Sequence, residues 1–341
     1  MTAIDRTEPA LDVEAVVRLA DLADYIIPFA IRVVADLGVA DHLATGPKDV
    51  ADLASATGAH PESLHRVLRA LAAKGVFQQT APRVFALTPM ADLLRTDHPY
   101  SARHSYPLIA ADVQAWAAFD HTVRTGHNAF EHVHDMSYWA YIDAHPDYRT
   151  RFDATMRALT RIEVPAILPY LDWAAFSTVV DVGGGTGALL GGLLAAHPGM
   201  RGVLFDLPTV VPGAAEVFAA AGVAGRARVQ AGSFFADIPP GGDAYLLKRI
   251  LYSWDDADAT RILSAIRTAM TPDARLIVLE PVLRSGTRPD STAVLDLLNL
   301  AVDQGHTRTR GELAALLEVA GFRLARMIPT PVFPITVAEP A

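Results

Sequence analysis

Apolar residues follow different periodicities in the two halves of the chain. Up to about residue 175 they recur with helical spacing, and residues 13–43 carry an apolar stripe so broad that part of it must be central or shared with a second chain. From residue 178, short apolar runs alternate with helical segments in β-α-β-α-β order, which predicts a parallel sheet with helices on both faces. The stripe consists of Val16, Leu19, Ala20, Ala23, Ile27, Ala30, Val34 and Leu37.

A winged-helix pattern follows the N-terminal stripe. Residues 49–57 predict a helix, 58–60 a turn, and 61–74 a second helix with Pro61 in its first turn. Two apolar pairs around a polar tip at 76–86 predict a short hairpin, in a domain that we otherwise expect to be all-helical.

A winged-helix domain can bind DNA or join two chains in a dimer, and its charge distinguishes these two functions. Residues 47–98 contain six Lys or Arg and five Asp or Glu, whereas a surface that binds a DNA groove needs a clear positive excess. The whole chain is acidic, with 29 basic and 38 acidic residues and a net charge of −9. We therefore expect dimerisation and no nucleic-acid partner.

Composition excludes several kinds of chemistry. The chain has no cysteine, which excludes thiolate nucleophiles, cysteine-ligated zinc and disulfides. His127, His132 and His134 lack the spacing of a metal site, so we predict no metal. Residues 1–17 lack the pattern of a signal peptide, and no apolar run is long enough to span a bilayer. We expect a cytoplasmic protein with no membrane partner.

The strongest chemical signal is DVGGGTG at 181–187, between a predicted strand and a predicted helix. Glycines allow a tight turn and a close approach to a ligand, at a helix N-terminus that favours an anionic group. Gly183, Gly185 and Ala188 also satisfy a relaxed dinucleotide pattern, so this motif alone leaves a nicotinamide enzyme open. Asp206 ends the next strand, where an acid can hold a ribose diol.

Four motifs in order, DVGGGTG, FDLP, GSFF and LLKRILYSWDD, resemble the S-adenosylmethionine-dependent small-molecule O-methyltransferases of plant secondary metabolism (caffeate and acetylserotonin type) and their actinobacterial relatives. The resemblance covers essentially the whole chain, including TRTRGEL at 307–313. It implies a winged-helix dimerisation domain at 1–100, a helical linker at 101–175 that contributes to the substrate pocket, and a doubly wound, Rossmann-like α/β methyltransferase domain at 176–341. It also implies a homodimer with S-adenosylmethionine as cofactor.

The resemblance further assigns residues to the two ligands. Ser233 stands where the family has an aspartate, which weakens one hydrogen bond to the adenine without excluding binding. The acceptor residues are Trp139, Met156, Asn299 and Asp303. The cofactor residues are Asp181, Gly183, Gly185, Gly187, Asp206, Leu207, Ser233, Phe234 and Lys248.

The catalytic positions depart from the family pattern. Tyr252 stands where the family has its histidine base, and Thr307 where it has an acid. Glu280 matches the carboxylate that orients the histidine. A phenol with a pKa of about 10 is a poor base, so we expect Tyr252 to shape the pocket or to form a hydrogen bond with the acceptor oxygen. His306, beside the lost acid, is a candidate replacement base.

These residues lead to one main hypothesis and two alternatives. The main hypothesis is methyl transfer, driven by proximity, to a hydroxyl of a small aromatic or polyketide-like metabolite that is already easy to deprotonate. The first alternative is a repurposed enzyme that binds S-adenosylmethionine but catalyses a hydroxylation, decarboxylation or pericyclic rearrangement. The second is a DNA-binding regulator that senses S-adenosylmethionine, which the near-neutral second helix disfavours.

Overall fold

The computed structural model describes residues 11–284, 286, 290 and 292–341. Residues 1–10, on which part of the N-terminal prediction rests, lie outside the described residues. The chain divides into two compact units, Met1–Pro99 and Tyr100–Ala341. Within the described ranges, no helix is both long and apolar enough to cross a membrane.

The first unit has the predicted helix–turn–helix followed by a hairpin. Phe77 and Phe85 of the hairpin are 1% and 0% exposed and complete an apolar core built by the helices. The helices are α1 (Val13–Ala23), α2 (Ile26–Asp36), α3 (Val39–His42), α4 (Val50–Thr57), α5 (Pro61–Ala73) and α6 (Pro89–Asp92), and the strands are β1 (Lys48–Asp49), β2 (Phe77–Ala81) and β3 (Val84–Leu87).

Two features of this unit differ from the sequence-based expectation. The N-terminal stripe is divided among three helices, because the Asp24 carboxylate accepts hydrogen bonds from the N–H groups of Ile26 and Ile27 and so caps α2, while Gly38, at φ +68°, ends it. The domain also holds a three-stranded sheet, in which β1 pairs with β3, so it is less purely helical than expected.

The second unit begins with the predicted helical region. Its longest helix, α11, packs against the first helix of the sheet-containing region that follows. The helices of this region are α7 (Ala110–Ala117), α8 (Phe119–Thr125), α9 (Ala129–His134), α10 (Tyr138–Ala144) and α11 (Pro146–Ile167).

The rest of the second unit is a seven-stranded sheet covered by helices. Apolar clusters fill the space on both sides of the sheet, as its near-continuous apolar strands predict. The strands are β4 (Thr178–Val182), β5 (Arg201–Asp206), β6 (Ala227–Ala231), β7 (Ala244–Lys248), β8 (Arg275–Leu279), β9 (Phe322–Ile328) and β10 (Ile335–Pro340), and the helices are α12 (Ala188–Ala196), α13 (Ala214–Ala220), α14 (Asp256–Ala269), α15 (Thr292–Val302) and α16 (Arg310–Val319).

The strand order is β6-β5-β4-β7-β8-β10-β9. The first five strands in this order are parallel, which confirms the doubly wound α/β fold. The last two strands were not predicted: β10 lies between β8 and β9 and is antiparallel to both. The chain reverses its direction of winding between β4 and β7, and the carboxyl ends of strands at such a switch point form a crevice for ligands.

Candidate active site

A cavity of about 300 Å³ lies at the carboxyl ends of β4, β5 and β7. Its floor is formed by the loops that follow these strands, and α11 covers it from the other side. Every sequence-predicted cofactor residue except Gly187 lines this cavity, and so do Trp139 and Met156.

The glycine turn makes the floor possible. Gly183, Gly185 and Gly187 all have positive φ, at +68°, +63° and +83°. A Cβ on Gly187 would lie 2.6 Å from Phe218 Cζ, whereas a Cβ on Gly185 would meet nothing within 4 Å. Gly185 therefore faces open space, and its N–H is held in place by donating to Asp206 Oδ2 at 2.7 Å.

Two acidic side chains stand beside this turn. The Asp206 carboxylate also accepts from the Leu207 N–H at 2.7 Å, and burial raises its pKa to about 6. Asp181 is fully buried, and neither of its carboxylate oxygens has a hydrogen-bond partner among the residues that the structure describes. Burial and the charge of Asp206 raise the pKa of Asp181 to about 7.

A buried group of three charges closes the end of the cavity next to β7. The Lys248 ammonium lies 2.7 Å from Glu163 Oε2 and donates to Thr160 Oγ1 at 3.0 Å. The Arg249 guanidinium donates to Glu163 Oε1 through Nε at 3.1 Å and through Nη2. Burial alone would raise the pKa of Glu163, but the two cations hold it below its ordinary value.

Aromatic side chains form another part of the cavity lining. Trp139 and Trp254 stack with their ring centroids 6.0 Å apart and their planes 13° apart. Phe152 meets Trp139 edge-on, and Phe235 meets Trp254 edge-on. With Met156, these side chains form an apolar surface suited to a planar ring.

Tyr252 lies on a 3₁₀ turn, Leu251–Ser253, and this turn is held through its backbone. The Tyr252 N–H donates to Glu280 Oε2 at 3.2 Å, and its carbonyl accepts from Asn299 Nδ2 at 2.7 Å. Its neighbours Arg249, Ser253 and Trp254 line the cavity, whereas Tyr252 itself does not, and its hydroxyl oxygen accepts a hydrogen bond from the Arg249 guanidinium. Burial raises the pKa of the phenol, and the charge of Arg249 offsets only part of that rise.

Glu280 and Arg308 hold the same turn through hydrogen bonds to its backbone. Glu280 is 2% exposed, and burial raises its pKa to about 7 despite the nearby charge of Arg308. Arg308, also 2% exposed, donates to the carbonyls of Leu251 at 2.9 Å and Trp254 at 3.0 Å. The structure thus places Glu280 in the support of the turn. Its catalytic role stays a prediction.

The structure does not bring His306 and Asp303 to the cavity. The His306 side chain is 46% exposed, and its Nε2 lies 3.8 Å from Asp256 Oδ1. Asp303 lines a separate polar cleft together with His127 and His132, and burial raises its pKa to about 8. Within the described ranges, no group of three or more histidine, aspartate or glutamate side chains is arranged to hold a metal ion.

The residues at the floor fit S-adenosylmethionine. The partnerless Asp181 carboxylate suits a buried ammonium group, and each Asp206 oxygen, although held by one N–H, can accept a further hydrogen bond from a ribose hydroxyl. Ser233 and Phe234 line the part of the cavity next to β6, where the adenine is expected.

No local sequence motif identifies the residues that support this site from distant parts of the chain. Glu163 and Thr160 lie on α11, far before Lys248 in the sequence, and Arg308 lies far after Leu251. Helical spacing places Glu163 on a covered face, but no local pattern identifies its partners. The one available signal is an acidic residue in an otherwise apolar part of the helix.

Two family models match the chain. The O-methyltransferase domain matches residues 116–323, and the O-methyltransferase dimerisation domain matches residues 20–97. These matches cover both units.

Individual relatives extend over nearly the full length. The chain is 37% identical over 310 residues to phenazine O-methyltransferase PhzM of Lysobacter antibioticus, covering 91% of each chain. It is 34% identical over 329 residues to aclacinomycin 10-hydroxylase RdmB of Streptomyces purpurascens, covering 94% of this chain and 87% of that protein. Among solved structures, the O-methyltransferase NcsB1 from neocarzinostatin biosynthesis, in complex with S-adenosylmethionine and 2-hydroxy-5-methyl naphthoic acid, superposes with a TM-score of 0.80 at 35% identity, covering 95% of this chain and 98% of that one.

Proposed function

The chain belongs to the family of S-adenosylmethionine-dependent O-methyltransferases, and we propose that it methylates a hydroxyl group of a small aromatic or polyketide-like metabolite. The observation that carries this proposal is one cavity with two different sides. Its glycine turn and its acidic residues suit the cofactor, and the stacked Trp139 and Trp254 suit an aromatic acceptor.

S-adenosylmethionine supplies an electrophilic methyl group on a positively charged sulfur. The chain's own residues hold and orient the two reactants. Asp206 binds the ribose, Asp181 and Lys248 bind the charged amino-acid end, and Trp139, Phe152 and Met156 fix the plane of the acceptor. Holding two reactants in line replaces a bimolecular encounter, which is worth several kcal/mol of the barrier, about 7–11 in well-oriented systems.

The residues that line the cavity indicate how readily the acceptor hydroxyl must lose its proton. Of the described residues that line it, none is a histidine, and the phenol of Tyr252 has a raised pKa. A general base typically contributes about 10²–10⁴-fold, so without a histidine in this role the enzyme favours an acceptor whose hydroxyl ionises readily, such as a phenol on an electron-poor ring. We propose that Tyr252 and Glu280 shape the site and do not move protons.

The absence of a histidine base at position 252 also supports a second candidate function. Tyr252 in the place of the family's histidine base is compatible with an enzyme that binds the cofactor but performs a different reaction. The similarity over 94% of this chain to a protein named as a 10-hydroxylase supports this second candidate.

The two candidates are separated by mass spectrometry of reaction products. The purified protein is incubated with S-adenosylmethionine carrying an isotope-labelled methyl group and with a set of hydroxylated aromatic acceptors. We expect an acceptor that gains the labelled methyl group, with one equivalent of S-adenosylhomocysteine. A product that gains oxygen and no label would support the second candidate instead.

A further inference from the structure

Asp153 is a cavity-lining carboxylate that the proposed chemistry has not used. It lies on α11, and it faces the cavity together with Arg149, one turn before it, and Arg157, one turn after it. No hydrogen bond or ion pair reaches its carboxylate from any other described residue. Burial raises its pKa, although the charges of both arginines act in the opposite direction.

Arg149 is engaged through its Nη2 group, whereas its buried Nε has no hydrogen-bond partner among the described residues. Arg149 donates through Nη2 to Asp143 Oδ1. The Arg149 side chain is 14% exposed and the Asp143 side chain 45%. Asp153 is therefore a half-buried carboxylate that feels the charges of Arg149 and Arg157 but accepts a hydrogen bond from neither. Such a carboxylate is costly unless a ligand completes its hydrogen bonds.

The position of Asp153 indicates which ligand this is. Asp153 and Asp206 line the same cavity, where the charge of Asp153 raises the pKa of Asp206 and that of Arg149 lowers it. Asp206 ends β5 and belongs to the sheet, whereas Asp153 belongs to the helical region. Two carboxylates on opposite walls are relieved of their repulsion by a ligand that donates one hydrogen bond to each.

We propose that Asp153 is a second carboxylate for the ribose of the cofactor, accepting a hydrogen bond from one ribose hydroxyl while Asp206 accepts from the other. The inference rests on the proposed function only through its cofactor.

A consequence for the order of binding follows. Asp153 shares α11 with Phe152 and Met156, which belong to the acceptor surface. A cofactor that bridges β5 and α11 also fixes this acceptor surface. The acceptor is then expected to bind more tightly to the enzyme–cofactor complex than to the free enzyme.

The test is calorimetry of the full-length protein with S-adenosylhomocysteine and with its 2′-deoxy and 3′-deoxy analogues. We expect Asp153→Ala to weaken binding of S-adenosylhomocysteine by about tenfold or more, as for a hydrogen bond to a charged group. The isosteric Asp153→Asn, which keeps one acceptor oxygen, should lose less. Asp147→Ala, an exposed acid in the first turn of the same helix, is the matched control and should bind as the wild type does.

The deoxy analogues make the test specific. For one of them, Asp153→Ala should cause no further loss, because the hydroxyl that Asp153 binds is already absent. Equal losses for all three ligands, or unchanged affinity, would overturn the proposal. Unchanged affinity with reduced kcat and a flattened acidic limb of the pH profile would make Asp153 a base for the acceptor instead. If the wild type itself binds no S-adenosylhomocysteine, the cofactor assignment fails, which is a separate result.

Discussion

Tyr252 is held through its backbone, and its hydroxyl oxygen also accepts a hydrogen bond from the Arg249 guanidinium. Its N–H is bonded to Glu280 and its carbonyl to Asn299, and both bonds are independent of the side chain at this position. The turn should therefore keep its conformation when the hydroxyl of Tyr252 is removed.

We accordingly expect Tyr252→Phe to lower kcat/KM by at most about tenfold, roughly 1.4 kcal/mol of transition-state stabilisation. Steady-state kinetics with a methylated acceptor measure this directly. Asn299→Ala is the informative contrast, because it removes a hydrogen bond from the turn itself and should lower the melting temperature. Loss of all turnover in Tyr252→Phe at unchanged cofactor affinity would show that the phenol transfers a proton.

At this scale, the sequence predicts which residues line the cavity better for the proposed cofactor positions than for the proposed catalytic ones. Asp206 and the glycines are identified by motifs in which every member is local, so strand, turn and ligand position follow together. His306 is a candidate only because it adjoins Thr307, and neighbouring residues on a loop commonly face different ways. Its actual neighbour, Asp256, comes from the start of α14, in a distant part of the sequence.

Among the secondary-structure elements, the turn between β4 and α12 constrains the site most. Gly185 and Gly187 share a left-handed backbone conformation, but they differ in what surrounds them. An added Cβ at residue 187 would enter the ring of Phe218, and at residue 185 it would enter the cavity.

We expect the two alanine variants to fail in different ways. Each should lose about 1 kcal/mol of stability from its positive φ. Gly187→Ala should lose more, because Phe218 must move, and should show a clearly lower melting temperature. Gly185→Ala should lose only about 1 kcal/mol in thermal unfolding but bind S-adenosylhomocysteine weakly by calorimetry. Equal melting temperatures for the two variants would contradict this account.

Element prediction succeeds where the pattern is local and fails where pairing is distant. The strand, glycine turn and helix at 178–196 follow from adjacent residues. The insertion of β10 between β8 and β9 does not, because its partners at 276–279 lie far from it in the sequence. The division of the N-terminal stripe depends on one capping side chain, Asp24, that a broad periodicity hides.

At the scale of the whole molecule, the apolar face of α1 is exposed in the single chain and would be stabilised by burial against another surface. All of its described residues are at least partly exposed, including Val16 at 51% and Leu19 at 68%, and the dimerisation-domain match includes this helix from residue 20 onward. We propose a homodimer joined through this first unit.

Light scattering at micromolar concentration should therefore give about twice the chain mass of 36.5 kDa. The double variant Val16→Glu/Leu19→Glu should shift the protein toward the monomer, because it places charge on the apolar face. Arg18→Glu, on the opposite face of the same helix, serves as the control and should remain dimeric. A wild-type monomer under these conditions would remove the proposal.

Buried carboxyl groups set the pH dependence of stability. Burial raises the pKa of Asp181 and Glu280 to about 7 and that of Asp303 to about 8, all above the ordinary value of about 4 in an unfolded chain. Between about pH 4 and about pH 8 the folded protein binds more protons than the unfolded chain, so the free energy of unfolding falls as pH rises.

The cofactor-free protein should therefore melt at a higher temperature near pH 5.5 than near pH 7.5. Asp303→Asn removes one of the titrating groups and should reduce the difference between the two melting temperatures. A melting temperature that rises over this interval would contradict the assignment of these groups as protonated in the folded state.

The stacked indoles also give the protein an optical reporter of its own. The chain has four tryptophans, and two of them, Trp139 and Trp254, line the cavity in contact with each other. Trp173 is buried in the core, with its indole N–H donating to the Leu168 carbonyl, and so emits a constant background. An aromatic compound that settles against the paired rings will quench or shift their fluorescence. Candidate acceptors can thus be ranked by titration in a cuvette, before any product has been identified.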